Sequence, residues 1–461
     1  MTTLPSSPRP HQDIERVKGN LFFGSTFEVL KNPVAFLSKL AKNYGPAVTA
    51  HFAGKKYYVF QHPDYVKHVW LDNHKNYLKP GATKLLGLFL GEGLSTSNGE
   101  LWLTHRRLMQ PAFHTQRLEG IADVINEETT ELITRFEKIP ADTIIDINHE
   151  MLQLTINIIS RAMFNVHMKD EMDAMVHALE ELASFAASWM KSPIKIPTNW
   201  PTPGNKIFKE NCAVFDKIIY AIIERRRREL ATKNGPVHND LLDMLLSHFD
   251  EETQSPMSDK LLRDEVTTIF MAGHETSAQT LSWMLYHAAK EKDISEKLRQ
   301  EAIASSSGQR IGFAEISKLV YNKQVVHETL RLYPPIWAVV RTPLQDDKIN
   351  SLYLPAHSNV LLNIYGLHRH PDYWESPDEF FPEHFSAVNE QSRPAFVFVP
   401  FGGGPRLCLG HNFAMLVMRI VISRLVRSFE FFVPENYVPV VEPNITLRAR
   451  QGIQLTIKKI V

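Results

Sequence analysis

Phe401-Gly-Gly-Gly-Pro-Arg-Leu-Cys-Leu-Gly410 decides how this chain is read. Three consecutive glycines and a proline precede Cys408, and His411 to Arg427 follows with the spacing of an amphipathic helix. A cysteine just ahead of a helix faces free backbone N–H groups and the positive end of the helix dipole, which favour thiolate over thiol. Glycines let the backbone curl around a bulky sulfur ligand without Cβ clashes. The only other cysteine, Cys212 in Asn211-Cys-Ala-Val, has no such setting and reads as a buried structural thiol. Cys408 is therefore the candidate metal ligand.

The rest of the chain bounds what that ligand serves. Its 461 residues are 44% hydrophobic, enough for a large core. With 51 basic and 51 acidic residues, no global field points to nucleic acid or to an anionic membrane. Two cysteines do not make a disulfide framework, and they fit a reducing compartment. The polar, proline-rich start, Met1 to Gln12, lacks the apolar core of a signal peptide. No apolar run approaches the roughly 18 residues of a membrane span. These features predict a cytoplasmic protein without a transmembrane anchor.

Long helical patterns dominate: Leu118 to Lys138, Phe208 to Leu230, Leu319 to Tyr333, and Leu261 to Ala289, the last about eight turns long at 3.6 residues per turn. Strand signals are sparse. Ala47 to Phe60 reads as a hairpin turning at Gly54-Lys55, and Gly452 to Val461 as a late strand. The proline-rich stretches Ser192 to Gly204 and Pro371 to Pro382 read as loops within one globular unit. The expectation is a mainly α protein with a small β region, one domain over 1–461 whose first 20 residues form a flexible segment.

Three further segments carry chemistry. In Ala272-Gly-His-Glu-Thr-Ser277 an acid and a threonine interrupt the long helix, and Gly273 costs about 1 kcal/mol there relative to alanine. The bland alternative is a polar face with Thr276 bonded to its own i−4 carbonyl, Ala272. Thr268, Ala272 and Thr276, four apart, share one face. In Glu328-Thr-Leu-Arg331, just before Pro334-Pro335, the two charges lie on one helix face and can pair. Trp102 and Arg106 put a donor N–H and a permanent cation on another helix face, which a plain amphipathic surface helix explains equally well.

Taken in order, these segments resemble the signatures of the cytochrome P-450 superfamily, in its soluble, prokaryotic type. Phe401, Gly404, Arg406, Cys408 and Gly410 match its haem-binding motif at every fixed position, and Ala272 to Ser277 match its oxygen-activating motif. The resemblance implies haem b between the long distal helix and the cysteine-loop helix. Cys408 would be the iron's axial ligand, with Phe401 packed beside the sulfur. Trp102, Arg106, Arg341 and Arg406 would hold the haem propionates, and Ala272 would touch the haem. Thr276 would donate to dioxygen over a locally widened helix, with Glu275 relaying protons. Glu328 and Arg331 would be a buried structural pair. Two positions depart from the family. His384 stands in Pro382-Glu-His-Phe385 where many members have arginine, and histidine cannot offer the guanidinium fork. Val417 stands where an acid is common.

The resemblance also implies a substrate pocket. Leu88, Phe89, Leu94 and Ser95 precede the Trp102 helix, Thr268 and Met271 lie on the long helix, and Ile336, Trp337 and Val339 follow the prolines. None is charged, so an apolar substrate such as a fatty acid or terpenoid is expected. Electrons would come from a separate ferredoxin- or flavodoxin-type donor with its own reductase, docking near Arg406, His411, Arg419 and Arg424, on a protein expected to be a monomer. Two rivals stand beside the monooxygenase. A haem-thiolate peroxygenase or isomerase commonly lacks the acid–threonine pair present here. A non-catalytic haem sensor needs an output domain, and the stretch after Cys408 reads as the closing helix and strands.

Overall fold

The computed structural model describes residues 14–80, 83–168, 171–192, 196–232, 236, 238–250 and 255–460. Its contacts divide the chain into two compact units that interleave in sequence.

The smaller unit takes residues 14–80, Ile336–Glu379 and Gln391–Leu407. Its centre is a six-stranded sheet in the order Glu15–Arg16, Ala47–Phe52, Lys55–Phe60, Asn359–Leu362, Val339–Pro343, Tyr77–Leu78. Side chains alternate between the faces, as strand geometry requires. Tyr58, Phe60, Val360 and Leu362 join one apolar cluster, and Val48, Ala50, Val59 and Leu361 another with Phe36, Leu37 and Leu40. The expected hairpin forms, but Phe52 pairs with Lys55, so the two-residue turn is Ala53-Gly54. Both have positive φ, as a twisted hairpin turn requires. The N-terminal segment expected to be flexible through residue 20 enters the sheet early. Glu15 and Arg16 pair with Val48 and Thr49, and Val17 is buried.

The larger unit is helical, with a three-stranded sheet of Phe429–Phe432, Gln454–Lys459 and Ile145–Asp146 and a small pair, Val441–Pro443 with Leu447–Ala449. Its spine is the helix Asp259–Lys290, begun where Ser258 Oγ accepts the Leu261 N–H at 3.2 Å. This long helix packs on Ile147–Phe164, on Val320–Leu332 and on the cysteine helix His411–Ser428. Among the described residues no helix is long and apolar enough to cross a membrane.

Candidate active site

The glycines before Cys408 serve packing more than wrapping. Gly402 and Gly404 have φ of 76° and 63°, and a Cβ on Gly404 would fall 1.9 Å from the Trp70 carbonyl oxygen. A Cβ on Gly403 would meet the Phe396 ring at 2.8 Å. The loop is seated on the His68–Asp72 turn so closely that only glycine fits.

In the same unit Arg341 and Arg406 repel one another. Burial together with Arg406 pushes Arg341 down to about 10, and burial pushes Arg406 to about 10 as well. Among the described residues no carboxylate pairs with Arg341, which donates to its neighbour's carbonyl, Val340 O, at 2.9 Å. Two half-buried guanidiniums set against each other fit an anionic group such as a pair of propionates, which would remove the repulsion. Phe401 is half-buried in this unit. Of the pocket candidates here, Trp337 and Val339 pack against the two sheet clusters, and Ile336 is 40% exposed. Trp337 and Val339 are each half-buried there.

Cys408 opens the last segment of the larger unit. Its thiol is raised by burial, against the Gly410 N–H and the Arg106 cation, which pull the other way. The expected thiolate-favouring groups are present, but in the protein alone desolvation outweighs them. A bound metal cation reverses that balance, since a coordinating thiol is deprotonated outright. The side chain nevertheless stays exposed, as one lining a concavity does. Trp102 and Arg106 are half-buried on the helix Gly99–Met109, and burial lowers the Arg106 pKa against the pull of Cys408. Gly410 caps the cysteine helix and lies in contact range of Phe113. Cys212 is half-buried, its thiol raised to about 11 by burial and then by Asp216, as suits an inert structural thiol.

The long helix is buried at Leu262–Phe270 and again at Ser277–Ala288. Between them Ala272 is exposed and Met271, Gly273, Glu275 and Thr276 are half-exposed. A buried helix that opens for about one and a half turns borders a space at the position of the acid–threonine pair. The helix stays α throughout, without the expected change of type there. Gly273 has a packing reason instead, because a Cβ would lie 2.6 Å from Ile159 Cδ1. Thr276 Oγ1 donates to the Ala272 carbonyl at 2.9 Å. Glu275 accepts from Thr446 Oγ1 at 2.7 Å, and burial raises its carboxyl above the ordinary range. His274 is buried and pushed down to about 4 by desolvation, so it is neutral.

Thr268 does not share this opening. It is 2% exposed under the 89–95 segment, where a Cβ on Gly93 would meet its hydroxyl at 2.4 Å. Phe89 is likewise buried, Leu94 is half-buried, and Leu88 and Ser95 are exposed.

Glu328 and Arg331 are both fully buried in a bidentate pair, Nε to Oε2 and Nη2 to Oε1, each 2.7 Å. The Phe381 N–H donates to Glu328 Oε1 at 2.7 Å, and His384 Nδ1 lies 3.1 Å from the same oxygen. Burial would raise Glu328, but Arg331 and then His384 more than offset it and leave its pKa lowered. His384 thus supplies one contact where a guanidinium would supply two. Of the basic residues expected at a docking face, Arg424 is 3% exposed and donates to Asn126 O and Thr130 Oγ1. Arg419 donates to the Ile316 and Leu319 carbonyls. Helix packing engages both, and Arg424 is buried by it while Arg419 stays half-exposed.

Sequence reading missed Thr446 and a charged triplet, Arg263-Asp264-Glu265, in the long helix. Three consecutive charges in an otherwise apolar segment were a visible signal for the second. Nothing local marks the first.

A family model described as cytochrome P450 matches residues 16–457. The cyclooctatin synthase of Streptomyces melanosporofaciens is 30% identical over 87% of this chain and 86% of its own length. The chloroplastic protein LUTEIN DEFICIENT 5 of Arabidopsis thaliana is 27% identical over 99% of this chain and 77% of its own. The leukotriene-B4 omega-hydroxylase 3 of Mus musculus is 27% identical over 81% and 75%.

Proposed function

This chain belongs to the cytochrome P450 family, and from that premise we propose that Cys408 ligates the haem iron and that Glu275 and Thr276 deliver protons to dioxygen. It is a haem-thiolate monooxygenase. Bound haem supplies the reductive activation of dioxygen, one oxygen atom entering the substrate and the other leaving as water with two electrons and two protons. Arg341, Arg406, Arg106 and Trp102 would hold the propionates of bound haem, and Phe401 and Gly410 would lie beside the sulfur. The observation that carries the proton role is the opening of the buried helix at Met271–Thr276.

Glu275 is held by Thr446 and keeps its proton to higher pH than an exposed glutamate, because burial penalises its anion. Held by Thr446 beside the open stretch of the helix, the Glu275 carboxyl is placed to take up a proton and pass it on. Thr276 has only to turn its hydroxyl from the Ala272 carbonyl to the open side of the helix. Thr446→Val is expected to free the Glu275 carboxyl and reduce product formed per electron pair by a few-fold, about the worth of one hydrogen bond. Unchanged coupling would leave Thr446 a packing residue.

The substrate is read as an apolar lipid or terpenoid, supported by uncharged candidates at Leu88, Leu94, Met271 and Ile336 and by the names of the relatives. A separate ferredoxin or flavodoxin with its reductase is read as the electron donor, the protein as a monomer, and the cytoplasm as its place, supported by two free cysteines. The test supplies a surrogate ferredoxin system, isotope-labelled dioxygen and a panel of fatty acids and terpenes. One labelled atom per product molecule is expected. Thr276→Ala should still bind haem and the same compounds but divert reducing equivalents to hydrogen peroxide. Equal coupling in the variant would return Thr276 to its bond with Ala272. Turnover driven by peroxide alone, with none from dioxygen and reductant, would overturn the assignment of the pair to oxygen activation.

A further inference from the structure

Among the described residues no strand pairs with the segment between the helix Thr83–Leu90 and the helix Gly99–Met109, yet its backbone is fastened to the long helix. The Glu92 N–H donates to Asp264 Oδ2 at 2.9 Å and the Leu94 N–H to Glu265 Oε2 at 3.1 Å. Arg263 donates to the Phe89 carbonyl and to Asp264 Oδ1, and its Nε reaches Asp216 Oδ1 at 2.7 Å. Glu265 Oε1 lies 2.6 Å from His105 Nδ1 on the following helix. Asp264, Glu265 and His105 are each at most 2% exposed.

Glycine geometry shows how tightly the segment lies. Gly91 has φ 62°, and a Cβ there would fall 2.0 Å from the Asp264 carboxylate. A Cβ on Gly93 would come within 2.7 Å of the Asp264 carbonyl oxygen. The loop is also closed on itself, since Thr96 Oγ1 donates to Gly91 O at 2.7 Å and the Thr96 and Ser97 N–H groups to Gly93 O at 3.0 Å. It is a compact loop set on two carboxylates.

Burying three consecutive charges is costly, and apolar side chains of similar volume would serve a core at least as well. Apolar side chains, however, offer no acceptors for the Glu92 and Leu94 N–H groups that Asp264 and Glu265 take up. We propose that Asp264 and Glu265 are positioning residues that latch residues 91–95 to the long helix, and so set which substrates the enzyme admits. The proposal rests on the reading of Leu94 and Ser95 as pocket wall. With the latch intact the wall is in place before substrate arrives. With it released, a ligand that reaches the wall must order it on binding and loses affinity, whereas a ligand too small to reach it does not.

The test compares imidazole with 4-phenylimidazole as iron-ligating probes, by spectral titration of the haem-loaded protein and its Asp264→Asn and Glu265→Gln variants. Affinity for 4-phenylimidazole should fall about tenfold, the worth of one lost charge-assisted hydrogen bond, with imidazole nearly unchanged. Equal losses for both azoles, or none for either, would overturn the proposal. Amide hydrogen exchange needs no ligand and is read on the unmodified protein. Slow exchange at Glu92 and Leu94 is expected, and rapid exchange at both would overturn the latch even where a variant does not hold haem. If the unmodified protein gives no azole shift, the haem reading fails instead, and the exchange measurement alone then decides whether the latch exists.

Discussion

Cys408→Ala abolishes the red-shifted Soret band of the reduced carbon monoxide complex, and turnover with it, while Cys212→Ala leaves both in place. That is the largest effect expected of any single substitution. Burial raises the Cys408 thiol, and the Gly410 N–H and Arg106 only partly counter it. On the proposed ligation the iron itself would supply what favours the thiolate, since a coordinating thiol is deprotonated outright. Cys212 is unsuited to the role, half-buried with its thiol raised to about 11. The carbon monoxide difference spectrum of both variants decides the matter. Loss of the band in the Cys212 variant alone would sink the assignment.

Glu328→Ala should yield protein that does not hold haem. Removing one member of a buried pair leaves the other uncompensated, at a cost of about 3–5 kcal/mol against a typical total stability of about 5–15 kcal/mol. Here the loss falls on Arg331, which is 0% exposed. His384→Ala removes one contact of 3.1 Å and should cost less. The pH dependence has a definite sign. Glu328 has a lowered folded pKa, so its contribution is complete above its unfolded value and is lost as pH falls through the folded one. Haem retention should thus hold through neutral pH and fail on the acid side, below the ordinary carboxyl range. Haem-loss rates of the parent and of Glu328→Gln across the acid range check this. Identical profiles would show that Glu328 does not govern acid release.

Some of the architecture was legible because it is local. The helix predicted over Leu261 to Ala289 is Asp259–Lys290, since periodicity and the Ser258 cap act within the segment itself. The i, i+3 spacing showed that Glu328 and Arg331 can pair, but their burial was legible only through the family resemblance. The hairpin turn was misplaced by one residue because Ala53, which carries no turn signal, takes a positive φ. Of the residues expected at a docking face, helix packing buries Arg424 and engages both Arg424 and Arg419 with distant carbonyls.

What the sequence determined by itself is therefore the chemistry. The ten residues ending at Gly410 and the acid–threonine pair in the long helix resemble the family's signatures closely enough to imply a haem-thiolate enzyme, because each motif is contiguous and readable in place. The tertiary structure alone decided why the glycines are there, Gly404 against the Trp70 carbonyl and Gly273 against Ile159. It alone decided that Thr446 holds Glu275 and that Asp264 and Glu265 hold the backbone at Glu92 and Leu94. The partners in these bonds stand about 170 positions apart, 171 for Thr446 and Glu275. Burial and hydrogen-bond pairing belong to the packed chain, and no local pattern of residues encodes them.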